Sequence, residues 1–181
     1  MFHLLSKLLT FKNYYLRTMK SIVLVGAGNI AAHLCKAIHK SLDFKVIQVY
    51  NRSEKSLAFF PSTLHKTSSL AELKEADLYI IAVSDDAIVS FSERLIIKDK
   101  LVVHTSGSVS MEALSDKNRK GVFYPLQSFS KNSEVYFSEI PICIETQNDT
   151  DLVLLKQLGN SISNNVLTVS SEKREKIHLS A

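Results

Sequence analysis

The residues with the plainest chemical meaning stand early in the chain: Gly26-Ala27-Gly28-Asn29-Ile30-Ala31, a G-x-G-x-x-A loop. It follows the apolar run Ser21–Val25 and opens a segment with apolar residues at 30, 34, 37 and 38. The run predicts a strand buried on both faces, and the spacing predicts a helix over Asn29–Lys40 lying on a sheet. In that strand–loop–helix setting the loop suits a dinucleotide. Gly26 permits the tight turn, Gly28 lets the backbone approach a pyrophosphate with no Cβ in the way, and Ala31 keeps the helix close to the strand. Asn29 and Ile30 then open a helix whose free N–H groups and positive dipole end face the phosphates. The alternative is a strand-to-helix turn with no ligand.

A dinucleotide with free ribose hydroxyls asks for Asp or Glu at the end of the second strand. Here that strand, Phe44–Tyr50, runs into Asn51-Arg52-Ser53. Arg52 can pair with or stack over a 2′-phosphate and Ser53 can donate to it, whereas an acid would repel it. The expected cofactor is therefore NADP rather than NAD. A solvated loop arginine and a helix N-cap are the plainer readings of Arg52 and Ser53.

Three further strand ends should lie along the same trough. Ala82-Val83-Ser84 is small enough for close approach of a ligand, and Asp85 after it reads as a helix cap. His104-Thr105-Ser106-Gly107-Ser108 brings a histidine and three hydroxyls to the nicotinamide end, where they could orient a substrate or relay a proton. A turn held by side-chain-to-backbone bonds is the equal alternative. Tyr124-Pro125-Leu126-Gln127-Ser128-Phe129 is a second such loop, with Tyr124, Gln127 and Ser128 as hydrogen-bonding groups for a substrate. His178 could reach the nicotinamide end as a general acid or base. Its neighbours Lys173, Arg174 and Lys176 read as a solvated face, His33 and His39 as outer-helix residues, and His65 as a loop residue.

The elements needed to carry these groups alternate along the chain. Short helices are expected at Glu54–Phe60 and Ser69–Lys74, and longer ones at Asp85–Ile97 and Thr150–Ile162. Strands are expected at Asp77–Val83, Leu101–Thr105, Val122–Tyr124, Ile140–Glu145 and Asn165–Val169, before a charged helix from Ser171. This is the pattern of an α/β, Rossmann-type doubly wound, mostly parallel sheet with helices on both faces. It assigns 19–170 to the dinucleotide-binding domain, and 171–181 reads as the first turns of something longer. Residues 1–18, apolar and acid-free, read as a leader from an upstream start codon, with a targeting peptide or a helical appendage as alternatives.

Composition narrows the function classes. The chain has 181 residues, 45% of them hydrophobic, enough for one full-sized domain. No apolar run reaches the roughly 18–20 residues a membrane span requires. The net charge of +4 comes mostly from Lys7, Lys12 and Arg17, so the body is nearly neutral and nothing points to nucleic acid. Cys35 and Cys143 lack metal-type spacing and read as small buried hydrophobes, and no metal is expected. The compartment is read as cytoplasmic.

Taken together, GAGNIAAHL, VYNRS, IAVSDDAI, HTSGS, FYPLQSFS and EKREKIHLSA resemble the NADP oxidoreductase family in which a Rossmann-like domain precedes a helical domain of unknown function. That family lies within the superfamily of 6-phosphogluconate dehydrogenase, ketopantoate reductase and pyrroline-5-carboxylate reductase. The resemblance covers residues 20–181. It implies hydride transfer between NADP(H) and a small carbonyl, imine or alcohol substrate. It also implies cofactor contacts at Gly26, Gly28, Ala31, Asn51, Arg52 and Ser53, and catalytic residues His104, Ser106 and His178 facing the substrate. Tyr124 departs from the histidine that many relatives carry before Pro-Leu-Gln. Relatives continue through IHLSA into the helical domain, which closes the site and makes a homodimer, so the chain resembles a truncated member. The rival expectation is an NADP-binding sensor or scaffold without turnover.

Overall fold

The computed structural model describes residues 19–130 and 134–180. The expectations for residues 1–18 and for Ala181 fall outside that range. Within it, eight strands form one sheet: β1 Lys20–Val25, β2 Phe44–Tyr50, β3 His65–Thr67, β4 Leu78–Ile81, β5 Leu101–His104, β6 Arg119–Pro125, β7 Ile142–Thr146 and β8 Val166–Thr168. The spatial order is β3-β2-β1-β4-β5-β6-β7-β8. Strands β3 to β6 pair in parallel; β7 runs antiparallel to β6, and β8 is parallel to β7. The helices are α1 Asn29–Ile38, α2 Glu54–Leu57, α3 Asp85–Arg94, α4 Asp149–Ile162 and α5 Ser171–Leu179.

Alternation along the strands builds two cores. Ile22, Leu24, Leu78, Ile80 and Val103 point to the face covered by α1 and α4, through Leu34, Ile38, Leu155 and Leu158. Val23, Val25, Tyr79, Ile81 and Val102 point to the other face, covered by Ile88 and Phe91 of α3. Each such fully buried aliphatic side chain contributes about 1.5–3 kcal/mol. Beyond the second core, Val122, Tyr124 and Cys143 pack with Val169 and Ile177, which seats α5 on the same face as α3.

The strand-and-helix order read from the sequence is present, with differences that have local causes. The Ser69–Lys74 segment is a single 3-10 turn, Leu70–Glu72, and the expected helix at Glu54–Phe60 keeps only four residues. The additional strand β3 depends on Gln48, which is fully buried. Its amide contacts His65 Nδ1 (3.0 Å), donates to the Glu72 carbonyl (2.9 Å) and accepts from Lys74 N (2.7 Å). His65 therefore lies on a strand, not in a loop. A bulge at Ile22/Val23 in the β1–β2 register sets which way Gln48 faces. Both cysteines are buried and free, as expected of small hydrophobes. Among the described residues no helix is long and apolar enough to cross a membrane, and no group of side chains forms a metal site.

Candidate functional site

The chain order reverses direction between β1 and β4, and ligands of open α/β sheets bind outside the carboxyl ends of strands at such a point. A cavity of about 930 Å³ opens there. Its floor is the glycine loop. Gly26 adopts φ +106°, and a Cβ on it would stand 2.2 Å from the Ala82 carbonyl oxygen, so the close approach of β1 and β4 requires glycine. Its N–H donates to the Tyr50 carbonyl (2.8 Å), which ties the turn to the end of β2. Gly28 differs: it is the N-cap of α1 with ordinary φ −81°, and nothing lies within 4 Å of the position its Cβ would take. Space is kept open above it on the cavity side. Ala31 is fully buried against the sheet, the helix-to-strand packing its size allows, and does not line the cavity.

One end of the cavity is formed by the tip of β2 and by α3. Asn51 and Arg52 line it, as do Ala82, Val83 and Ser84 at the end of β4. Arg52 is exposed and makes no hydrogen bond or ion pair among the described residues. Ser53 corrects its expected place: it precedes α2 in the N-cap position and is not on the cavity wall. Its carbonyl accepts from the Asn51 amide (2.9 Å), so its part is to shape the loop that carries Arg52.

The other end is built from β5, β6 and α5. Thr105, Ser106, Tyr124, Gln127, Ser128 and His178 all line it. The hydroxyl of Tyr124 lies 2.8 Å from His178 Nδ1, with the rings edge to face. Burial pushes the Tyr124 phenol above its ordinary value, so it stays protonated at neutral pH. The Tyr124–Phe129 loop is pinned over α1: Asn29 Nδ2 donates to the Phe129 carbonyl (2.9 Å) and His33 Nε2 to the Ser130 carbonyl (3.0 Å). His33 is therefore a buried anchor of this loop rather than an outer-helix residue.

His104 and Ser108 also depart from expectation, since neither lines the cavity. His104 is fully buried behind the loop it begins, and its Nδ1 accepts from Ser106 N (3.2 Å). Burial, reinforced by the positive charge of Arg174, lowers its pKa to about 4, so it is neutral near pH 7. The hydroxyl of Ser106 accepts from the N–H groups of Ser108 and Val109 (3.2 and 3.0 Å), and Ser108 Oγ donates to Asp85 (2.6 Å). These are the bonds of a stiff turn, with His104 at its start and Ser108 at its end.

Arg174 organises this end, and nothing in its local sequence marks it. Expected on a solvated face, it is fully buried. Its guanidinium pairs with Glu145 (2.5 Å) and donates to the carbonyls of Gly107 and Val109. Glu145 also accepts from the N–H and hydroxyl of Ser171 (2.9 and 2.7 Å). One buried ion pair thus joins β7, the His104–Ser108 loop and the first turn of α5, and so fixes where His178 stands four residues on. Asp85, Phe91 and Arg94 are further wall residues.

Comparison with known proteins agrees with this architecture. A Bacteroides fragilis protein described as a "putative NADP oxidoreductase" superimposes with a TM-score of 0.82 at 38% identity, over 90% of this chain and 65% of its own. A pyrroline-5-carboxylate reductase of Coxiella burnetii (TM-score 0.66, 21% identity, 88% of this chain and 62% of its own) shares the fold. So does a prephenate dehydrogenase of Aquifex aeolicus determined with NAD+ and hydroxyphenyl propionate (TM-score 0.68, 15% identity, 87% and 62%). This chain spans just under two thirds of the length of each. No family model matches it, and no curated protein does. Similar to the Bacteroides protein in sequence as well as in fold, the chain is a Rossmann-like α/β domain of the kind these oxidoreductases contain.

Proposed function

We propose that the cavity holds NADP(H) and that the chain is the cofactor-binding part of an oxidoreductase acting on a small carbonyl, imine or alcohol. The observation that carries this reading is the continuity of one cavity. It runs from the unpaired Arg52, over the open space at Gly28, to the Tyr124–His178 pair. The likeness to the Bacteroides protein supports the same class of reaction.

The residues fit that ligand. The α1 N-terminus and the Cβ-free surface of Gly28 suit a pyrophosphate, and Arg52, with no carboxylate partner, suits a 2′-phosphate rather than a bare ribose. When bound, the nicotinamide ring supplies or accepts the hydride. The chain's own part is the proton. In reduction, a carbonyl oxygen or imine nitrogen gains a proton as its carbon gains hydride, and of the hydroxyls on that wall the Tyr124 phenol is the one paired with an imidazole. His178 Nδ1 hydrogen-bonds the phenol, orients it and can return a proton to it. Oxidation of an alcohol runs the same transfers in reverse.

Fluorescence titration with NADPH and NADH tests the proposal, on the wild type and on Arg52→Asp. Tighter binding of NADPH, with that preference lost in the variant, supports it. Equal affinity for both overturns the NADP reading, and absence of binding overturns the reading as a whole.

A further inference from the structure

The arginines of this fold sort by their partners. The four described arginines are Arg52, Arg94, Arg119 and Arg174. Arg119 is held by Asp151 (3.0 Å) and Arg174 by Glu145 (2.5 Å). Arg52 and Arg94 have no hydrogen bond or ion pair among the described residues, and both line the same cavity. They come from different elements, the β2 tip and the last turn of α3. Glu93, next to Arg94, is taken by Lys117 (3.3 Å). Asp85, the carboxylate on the cavity wall, accepts the Ser108 hydroxyl (2.6 Å).

Helical geometry explains how Arg94 arrives there. Ala87, Ser90 and Arg94 are spaced three and four apart and share one face of α3. All three line the cavity, and the two small residues leave a trough that leads to the arginine. Phe91 on the same helix packs against Tyr50 with ring centroids 5.4 Å apart. That contact ties α3 to the end of β2, two residues before Arg52.

We propose that Arg94 is the second cation of a two-arginine clamp on the adenosine 2′-phosphate, opposite Arg52. The clamp rests on the NADP reading above and extends it to a residue on another element. A dianionic phosphate accepts from two guanidinium groups at once, and each charge-assisted contact adds selectivity over the unphosphorylated ribose.

Calorimetric titration with adenosine 2′,5′-bisphosphate and with 5′-AMP separates the outcomes, because the two differ only in the 2′-phosphate. For Arg94→Gln the expected result is a loss of about tenfold in affinity for the bisphosphate, with 5′-AMP unchanged and partial recovery in Arg94→Lys. If the wild type prefers the bisphosphate and Arg94→Gln keeps that preference, the clamp is overturned while the NADP reading stands. Equal weakening of both ligands places Arg94 on the adenosine and also overturns the clamp. If the wild type shows no preference, the NADP reading itself fails and the clamp with it.

Discussion

The hydroxyl of Tyr124 meets Nδ1 of His178 at 2.8 Å across a gap that only a glycine leaves open. A Cβ on Gly107 would stand 2.6 Å from His178 Cγ and 2.8 Å from Tyr124 Cζ. Three segments far apart in the chain therefore converge at one point of the cavity wall. Gly107→Ala should push the two rings apart, at an overpacking cost of about 1–3 kcal/mol. Tyr124→Phe removes the same hydrogen bond without overpacking and should cost about 1 kcal/mol. Urea denaturation measures both, and the imidazole NMR shifts of His178 should move in each variant.

The two loop glycines should respond oppositely to alanine. Gly26→Ala meets both a positive φ and the Ala82 carbonyl, so a loss of more than about 2 kcal/mol is expected. Gly28→Ala meets no atom and gives up only the N-cap preference for glycine, less than about 1 kcal/mol. Its methyl would stand where the pyrophosphate is proposed to lie. Thermal unfolding and NADPH titration of the two variants should therefore show a fold defect in the first and a binding defect in the second.

Burial of His104 makes stability depend on pH. Its folded pKa is about 4 against an ordinary 6.5. The unfolded chain binds the proton first, so this contribution is complete above about pH 6.5 and is lost as pH falls toward about 4, at up to about 1.4 kcal/mol per pH unit. Protonation would also end the acceptance of the Ser106 N–H by Nδ1. His104→Asn should flatten the profile in that window. Unfolding free energies at pH 7 and pH 5 for both proteins give the slope difference directly.

Removing Arg174 should damage more than its own helix. Arg174→Ala leaves the part-buried Glu145 carboxylate without its cation and frees the Gly107 and Val109 carbonyls. A loss of about 3–5 kcal/mol is expected, as for other broken buried pairs. Adding Glu145→Gln to it should recover part of that loss. A double-mutant cycle in urea tests the coupling, and hydrogen exchange should show α5 opening before the sheet.

The local chemistry of this protein was readable residue by residue. Phe44–Tyr50 reads as strand β2 from the sequence FKVIQVY, and the glycine loop marks the start of α1 at Asn29. Both signals depend on near neighbours in the chain. The same holds for the reading that Gly26 permits the tight turn, which its φ of +106° bears out. Strand β3 escaped because three residues are too few to show a period, and its partner Gln48 reaches it from 17 residues away.

Burial of the polar groups was decided by tertiary contacts. His104 and His178 are both histidines near hydroxyl groups, yet one is sealed under a turn while the other lines the cavity. Arg174 sits among Lys173, Glu175 and Lys176 in a segment whose composition reads as solvated, and nothing local marks it as the buried joint. Its carboxylate partner lies 29 residues earlier on β7. Sequence spacing specifies helices, strands and the conformations glycine alone can adopt, because those are set within a few residues. Which charge is paired, which histidine is exposed and which arginine is left free depend on neighbours brought together only when the sheet closes its order from β3 to β8.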